Sequence, residues 1–553
     1  MKYDKSLCVL LSILSGLLFS IYLYPIEYLY IESSRFSWPE GDNFAYAMGQ
    51  LLFTNGKWGW PLFSSNLLDR DAIQSLVYTD FVPIAALVIK LINQIFNLNI
   101  NHLQIWNFLV FPLQSLSFGI LLLALGIRRK VIILVAVWYS LLLPIFLFRV
   151  GHIPLLGQFV IPLSLALYFY RRKSKCTLDF KYISLWTMLL SITGLINLYL
   201  AFSVLIIYTA DRIDFFFSNL NYIKSRFYLI LNSTIPVIFL ILILYISGFF
   251  LPYQNGYSYG YHSMNILSPF IPSISNLFAG GSRLYDPTGG QYEGYNYFGA
   301  GFIFIFIISL SLIKFEDFKK ILSNKYLFLA LIFLTLYSIT TNPYFGQINL
   351  FKIDHPKIFG IFRSSGRLFW PVTYITLASS ILIISKRLKL TRAFFILTVG
   401  IFLQIIDTRD LVQGFYDAGH NFGKKVHKLD YDLMIPLVNE YKGVYIAPDY
   451  HCLTGENNYL IGDISFSFAR LGKSVNTFYL ARMPIDQNCK INIEEMNYKL
   501  SNNILPIAVV VGSYSLYPLS CIDTPYKDAY ICTLPSISNK VLPILKKAFS
   551  YSD

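Results

Sequence analysis

Trp38-Pro39-Glu40-Gly41-Asp42-Asn43, Met48-Gly49-Gln50-Leu51-Leu52-Phe53, Lys57-Trp58-Gly59-Trp60-Pro61-Leu62 and Val77-Tyr78-Thr79-Asp80-Phe81-Val82-Pro83 follow one another after the first hydrophobic segment. Acids, glycines and tryptophans in this order do not make a bilayer span, because unpaired polar groups are costly in hydrocarbon. They suit a loop packed on the membrane surface, with Asp42 and Asp80 just outside the bilayer. The rest of the chain then reads as a membrane-embedded cradle around that loop.

Composition points the same way. Of 553 residues, 55% are hydrophobic and 14% charged, where a soluble chain has about 45–50% and about 25%. The excess gathers into runs of ~15–25 residues, the length a bilayer demands. The net charge is +14. Its basic residues sit in short clusters between hydrophobic runs, the pattern of positive-inside topology and not of a nucleic-acid surface. The fold class expected is an α-helical polytopic membrane protein, with the lipid bilayer as partner and no nucleic acid.

Lys2 and Lys5 precede the apolar run Ser6–Tyr24, and bulky Tyr22, Tyr24 and Tyr28 stand where a leader would need small residues. An uncleaved first span with a cytoplasmic N-terminus is expected. Phe81–Phe96 is short and carries Lys90 and Asn93. If it crossed, Arg128-Arg129-Lys130 would fall outside, so it is read as interfacial or re-entrant. Further spans are expected at 104–126, 131–149, 154–170, 227–249, 299–314, 326–341, 369–385 and 393–407. Residues 183–209 are expected to go out and return as two half-length helices meeting near Asn197. The total is about eleven crossings, with outer loops at 31–103, 250–298 and 342–368.

Residues 1–407 thus form a transmembrane module, and 408–553 a small extracytoplasmic α/β domain. In the latter, Lys442–Pro448 and Ile504–Val511 read as buried strands and Asn458–Leu471 as a helix. Cys8 lies in the first apolar run and Cys176 in a basic loop, whereas Cys452, Cys489, Cys521 and Cys532 all fall in the C-terminal region. An even number there suits up to two disulfides in an oxidising compartment, with the connectivity open.

The unusual polar residues all fall on one side of the membrane in this scheme. Arg149 and His152 end a span. His262, Gln291, Tyr292 and Glu293 lie in one outer loop, and Arg363 and Arg367 in the next. Each has a use that needs no ligand. Arginines at span ends snorkel to headgroups, interfacial Tyr and Trp form belts, and Asp42 could cap a helix starting at Asn43. In combination they offer more: carboxylates to take a proton from a hydroxyl, and guanidiniums four residues apart to hold a phosphate. No nucleotide loop, zinc motif or Gly-x-Ser-x-Gly elbow occurs, which suits an activated donor already in the membrane.

One span, an outer loop with an acid, many spans and a C-terminal extracytoplasmic domain resemble the GT-C class of glycosyltransferases. More closely, the chain resembles an uncharacterised bacterial family of that architecture. The matching pieces are Gly41-Asp42, Trp58-Gly59-Trp60-Pro61-Leu62, Tyr78-Thr79-Asp80, Arg149-x-Gly151-His152, Gly290-Gln291-Tyr292-Glu293-Gly294, Phe362-Arg363-x-Ser365-Gly366-Arg367-x-x-Trp370-Pro371, and Ala481-Arg482 with Cys489. The resemblance implies an inverting transferase of the bacterial inner membrane with a periplasmic C-terminal domain. Its donor would be a sugar on polyprenyl phosphate, and its acceptor a surface glycan such as O-antigen, or a lipid. Asp42 matches the first-loop general base. Many GT-C enzymes carry adjacent acids there, whereas here Gly41 separates Glu40 from Asp42, so either acid remains the base. Asp80 would position the acceptor or bind a divalent metal. Arg149, His152, Arg363 and Arg367 would hold the donor phosphate. Gln291, Tyr292, Glu293, Trp58, Trp60 and His262 would line the substrate.

Two other classes compete. A flippase for a lipid-linked saccharide would place polar groups near the bilayer midplane and show repeats, and neither is evident. A polysaccharide polymerase or ligase is also polytopic with outer catalytic loops. The early acidic loop and the sizeable C-terminal domain favour the transferase.

Overall fold

The computed structural model describes residues 2–30, 41–69, 75–98, 100–174, 180–218, 226–253, 259–278, 286–420, 431–453, 455–480, 482, 489, 493–501, 507–512, 519–526 and 528–549. By packing, the chain divides into two units, each assembled from separated pieces. One takes Met1–Ile26, Trp106–Ile243 and Gly256–His420; the other takes Glu27–Ile105, Leu244–Asn255 and Asn421–Asp553.

Apolar helices dominate. Among the described residues, Lys5–Leu23, His102–Leu125, Ile153–Arg172, Ser365–Arg387 and Leu390–Asp407 are long and apolar enough to cross a bilayer. Five shorter apolar helices join them: Pro83–Phe96, Lys130–Leu141, Ser233–Ser247, Ala300–Leu312 and Lys325–Ile339. The chain is therefore a helical membrane protein.

Two stretches depart from the sequence reading. The expected single span 131–149 is a helix Lys130–Leu141 followed by a short turn of helix Pro144–Leu147. Proline disfavours helical backbone at the residue before it, and Leu143 is extended at φ −63, ψ 125. Arg149 and His152 consequently sit on an irregular turn. Between 183 and 209 the helix breaks beside Asn197, whose side chain accepts the Tyr199 N–H at 2.9 Å. The helix that follows, Leu198–Ser218, has 21 residues. At 1.5 Å per residue it is about 32 Å long, a full membrane thickness and not half of one.

Near the C-terminal ends of Val160–Ser174 and Leu198–Ser218, charges that read in the sequence as plain positive-inside markers form a network. Arg171 donates to Asp211 and Asp214 at 2.5 Å each, Arg172 to Asp214 at 2.6 Å, and Arg212 to Asp211. The Tyr182 hydroxyl adds a 3.0 Å bond to Asp211. Burial of both aspartates is tolerable because each is paired and hydrogen-bonded.

In the second unit, Pro83–Phe96 is a 14-residue apolar helix, about 21 Å long. It buries Pro83, Ala86, Ile89, Lys90 and Asn93 and leaves Val88, Leu91, Ile95 and Phe96 exposed. An apolar outer face on a short helix suits the interface position expected. Lys90 turns inward, its Nζ donating to the Phe53 and Gly56 carbonyls at 2.6 and 2.9 Å.

A small hairpin, β1 (Tyr344–Phe345) with β2 (Ile348–Asn349), precedes the C-terminal sheet. The sheet comprises β3 (Gly443–Ala447), β4 (Ser474–Val475), β5 (Ile507–Val511), β6 (Ser520–Asp523) and β7 (Ala529–Thr533), in the order β4-β3-β5-β7-β6. The first three strands are parallel and the β5-β7-β6 side is antiparallel. β3 and β5 are buried along their whole length, which is why they read as unbroken apolar runs. The helix Asn457–Arg470 lies where the sequence placed it. Disulfides join Cys452 to Cys489, and Cys521 to its register partner Cys532 across β6 and β7. At the β4 edge, Val475 donates to the Leu67 carbonyl and accepts from the Asp69 N–H, both at 2.9 Å. The first loop thus extends the sheet.

Candidate functional site

In the helical unit the polar residues collect around Glu293. Its turn is built by Asp286, whose carboxylate accepts the Gln291 N–H at 2.8 Å and the Tyr292 N–H at 3.2 Å. Close approach needs glycines: a Cβ on Gly294 would collide with the Ser263 carbonyl, and one on Gly366 with the Gly294 backbone. Asn296 then clamps the turn to its neighbour, donating to the Gly294 and Gly366 carbonyls at 2.9 Å each. This brings three segments to one carboxylate. Arg149 reaches Glu293 Oε2 at 3.0 Å and its carbonyl at 2.9 Å; Arg367 reaches Oε2 at 2.5 Å; His152 Nε2 lies 3.1 Å from Oε1. Burial alone would raise the Glu293 carboxyl. Arg367, the His152 hydrogen bond and Arg149 outweigh it and hold the group well below the usual carboxylate range.

Arg149 is fully buried between Phe148 and Trp370. Arg367 lies over the Tyr199 ring at 5.0 Å. Arg363 does not share a helical face with Arg367. It ends one 3-10 turn, Lys357–Phe362, while Arg367 belongs to the next, Ser365–Phe369, and Arg363 is exposed. The four residues expected to hold a phosphate therefore divide: three converge on Glu293 and the fourth faces outward.

His262 Nδ1 donates to the Gly290 carbonyl at 3.0 Å, and burial pushes its pKa down. Gln291 is tied to Ser263 and Asn265 at 3.1 Å each, whereas the Tyr292 ring is half exposed. Beside them lies a small cleft of about 30 Å³, lined among others by Asn265, Ser268, Asp286, Gln291, Tyr292 and Tyr295.

The acids of the first loop lie in the second unit. Asp42 opens the helix Gly41–Asn55, after Gly41 at φ +71. It is partly buried, and its Oδ1 accepts the Tyr479 hydroxyl at 3.2 Å. Tyr479 packs against Tyr450 and His451, whose Nε2 accepts the Leu480 N–H at 3.1 Å. Asp80 is the left-handed cap of the 3-10 turn Leu76–Thr79, at φ 53, its N–H donating to the Val77 carbonyl. That turn packs on the helix of Asp42 where Gly49 meets Thr79; a Cβ on Gly49 would strike the Thr79 hydroxyl. Elements that touch each other thus carry both carboxylates. Glu40 lies outside the described residues. Trp58 covers Lys90, 4.4 Å from its Nζ, and donates to Gln94 at 3.0 Å; Trp60 is exposed with its edge toward Tyr245. Among the described residues, no three or more His, Cys, Asp or Glu side chains group closely enough to hold a metal ion.

Residues 13–409, well over half of the chain, match a family described as a domain of unknown function, DUF6311. The chain belongs to the DUF6311 family. No curated protein matches it. The DUF6311 region takes in Asp42, Asp80 and the whole Glu293 cluster, and stops short of the sheet. Tyr479 is therefore a partner of Asp42 from outside the DUF6311 region, and nothing in its own spacing marked it. Asp286 was also missed, though an acid five residues before Gln291 is a recognisable cap for a turn.

Proposed function

We propose that this protein is a membrane glycosyltransferase that moves a sugar from a polyprenyl-phosphate-linked donor to a surface-glycan or lipid acceptor on the periplasmic side of the bacterial inner membrane. The chain would cross about eleven times, with the C-terminal domain outside. The observation that carries this reading is the placement of Asp42. A carboxylate at the opening turn of a helix, in the loop after the first span, is partly buried and fixed by a hydroxyl from the C-terminal domain. That is the position a general base needs: held, yet reachable by a substrate hydroxyl.

In the proposed reaction the acceptor oxygen attacks the anomeric carbon and Asp42 takes its proton. The bond from that carbon to the phosphate oxygen breaks, and its electron pair leaves with polyprenyl phosphate. Configuration inverts because attack is opposite to departure. Asp80 orients the acceptor. The Glu293 cluster braces the turns of its own unit.

The test is transfer from a panel of polyprenyl-phosphate sugars by the full chain in nanodiscs. Asp42→Asn should lower the rate by about 10²–10⁴-fold and leave the melting temperature unchanged. Full activity in that variant rules out the role. Glu40→Gln, run beside it, separates the two acids.

A further inference from the structure

A departing lipid phosphate gains a negative charge as the sugar leaves, so a transferase site needs a cation whose charge is not already balanced. Arg149 and Arg367 are paired with Glu293, and Arg171, Arg172 and Arg212 with Asp211 and Asp214. Arg482 is placed differently. Among the described residues no carboxylate pairs with it. Its guanidinium instead lies 4.5 Å over the Tyr253 ring.

The surroundings of Arg482 lead to the two first-loop acids. Tyr253 packs on Tyr78 at 5.6 Å, and Tyr78 sits in the turn that Asp80 caps. The Tyr78 hydroxyl is fixed on the Leu251 carbonyl at 2.6 Å, and the field of Arg482 acts on it. Three residues before Arg482, the Tyr479 hydroxyl holds Asp42. Tyr479 and Arg482, three apart in the C-terminal region, therefore touch the setting of both carboxylates, and Arg482 brings a cation there.

We propose that Arg482 is the phosphate-binding residue of this site and holds the phosphate of the polyprenyl-linked donor; this rests on the transferase reading above. A guanidinium stacked on an aromatic face keeps its edge N–H groups free to form the two parallel bonds that phosphate oxygens accept. The stack also fixes its plane before the ligand arrives, which lowers the ordering cost of binding. When the anomeric bond breaks, the phosphodiester becomes a monoester with one more negative charge, and the bonds from Arg482 strengthen at that moment.

The same chemistry would hold a phospholipid headgroup or free phosphate, and the experiment separates them. The full chain in nanodiscs is titrated with polyprenyl monophosphate, with phosphatidylglycerol and with inorganic phosphate. Arg482→Ala should weaken polyprenyl phosphate binding about tenfold or more and leave phosphatidylglycerol binding unchanged. Inorganic phosphate should compete only weakly, since it lacks the chain. Arg482→Gln, which keeps a stem over Tyr253 and removes the charge, should show the same loss. Intact disulfides and an unchanged melt confirm folding of each variant. Wild-type affinity in both variants overturns the assignment, as does an equal loss for phosphatidylglycerol, which would make Arg482 a headgroup contact. Neither result touches the transferase reading, provided the wild type binds polyprenyl phosphate. If the wild type binds none, that reading falls together with the assignment.

Discussion

Glu293 shows how much one residue can organise. Two guanidiniums and an imidazole converge on its carboxylate, and one of them, Arg149, has no exposure at all. Breaking a buried pair by removing one partner leaves an uncompensated charge, at about 3–5 kcal/mol. Glu293→Gln should therefore lower the melting temperature sharply, while Glu293→Gln with Arg149→Met should recover part of the loss, because one stranded charge goes with it. Purified variants in detergent, followed by thermal melts, measure both. The pH dependence follows from the same contacts. The folded-state pKa of Glu293 is depressed, so its contribution is fully present above the unfolded value of about 4.3. It is lost as pH falls further, because the unfolded chain then binds the proton more readily. Melts of the wild type should decline on acidification below about pH 4, and those of Glu293→Gln should decline less. The sequence made Glu293, Arg149, His152 and Arg367 visible as unusual polar residues at the ends of apolar runs and in the loops between them. It did not show that they neutralise one another, because contact between residues 144 and 74 apart depends on glycines at 294 and 366 that set the approach of three turns.

At the scale of elements, the apolar helices were legible because hydrocarbon thickness imposes a length on apolar runs, and five of them reach that length among the described residues. Their interruptions were less so. The break beside Asn197 was expected from the charge pattern, but the full length of the following helix was not, since 183–209 read as two half-length helices that go out and return. Pairing with Asp211 lets Arg212 sit within that longer helix. Polar groups also join helices where sequence reading saw only apolar surface. Gln404, on Leu390–Asp407, accepts the Phe302 N–H at 3.0 Å and donates to the Leu142 carbonyl at 2.9 Å. Asp407 accepts the Ala300 N–H at 2.7 Å and so caps the neighbouring helix. Gly400 and Gly301 let the two helices meet, and a Cβ on Gly301 would run into the Gly400 carbonyl. Small residues and buried amides are how helices associate when lipid is as apolar as leucine. Gln404→Leu should cost about 1–3 kcal/mol, from the backbone groups left unpaired. Gly301→Val should cost at least as much through overpacking. Denaturation of the variants in mixed micelles would show both, and a Gly301→Val variant as stable as wild type would mean that the two helices can separate freely.

For the whole molecule, the decisive feature is that neither unit is continuous in sequence. The C-terminal sheet was legible as a small α/β domain because β3 and β5 are short apolar runs rich in β-branched residues, and its four cysteines suited the two disulfides that form. What the sequence could not reveal is how much of that domain's surface the first loop covers. Val475 at the β4 edge bonds to Leu67 and Asp69. Lys499 pairs with Asp69 at 2.8 Å, and Asn55 donates to the Ala469 carbonyl at 3.1 Å. An edge strand stripped of its neighbour presents unpaired backbone groups and tends to aggregate. Residues 408–553 expressed alone in the periplasm should therefore be insoluble or protease-sensitive, even with both disulfides formed. The disulfides close loops within the fragment, Cys452 to Cys489 and Cys521 to Cys532, and neither replaces the lost edge. Co-expression with a segment spanning 41–105 should restore solubility, because it returns the Leu67–Asp69 pairing. Limited proteolysis of the fragment, with and without that segment, decides the matter. A soluble, protease-resistant fragment that melts cooperatively on its own would mean that the first loop only rests on a domain already complete, and Asp42 would then owe its position to the membrane module instead of to Tyr479.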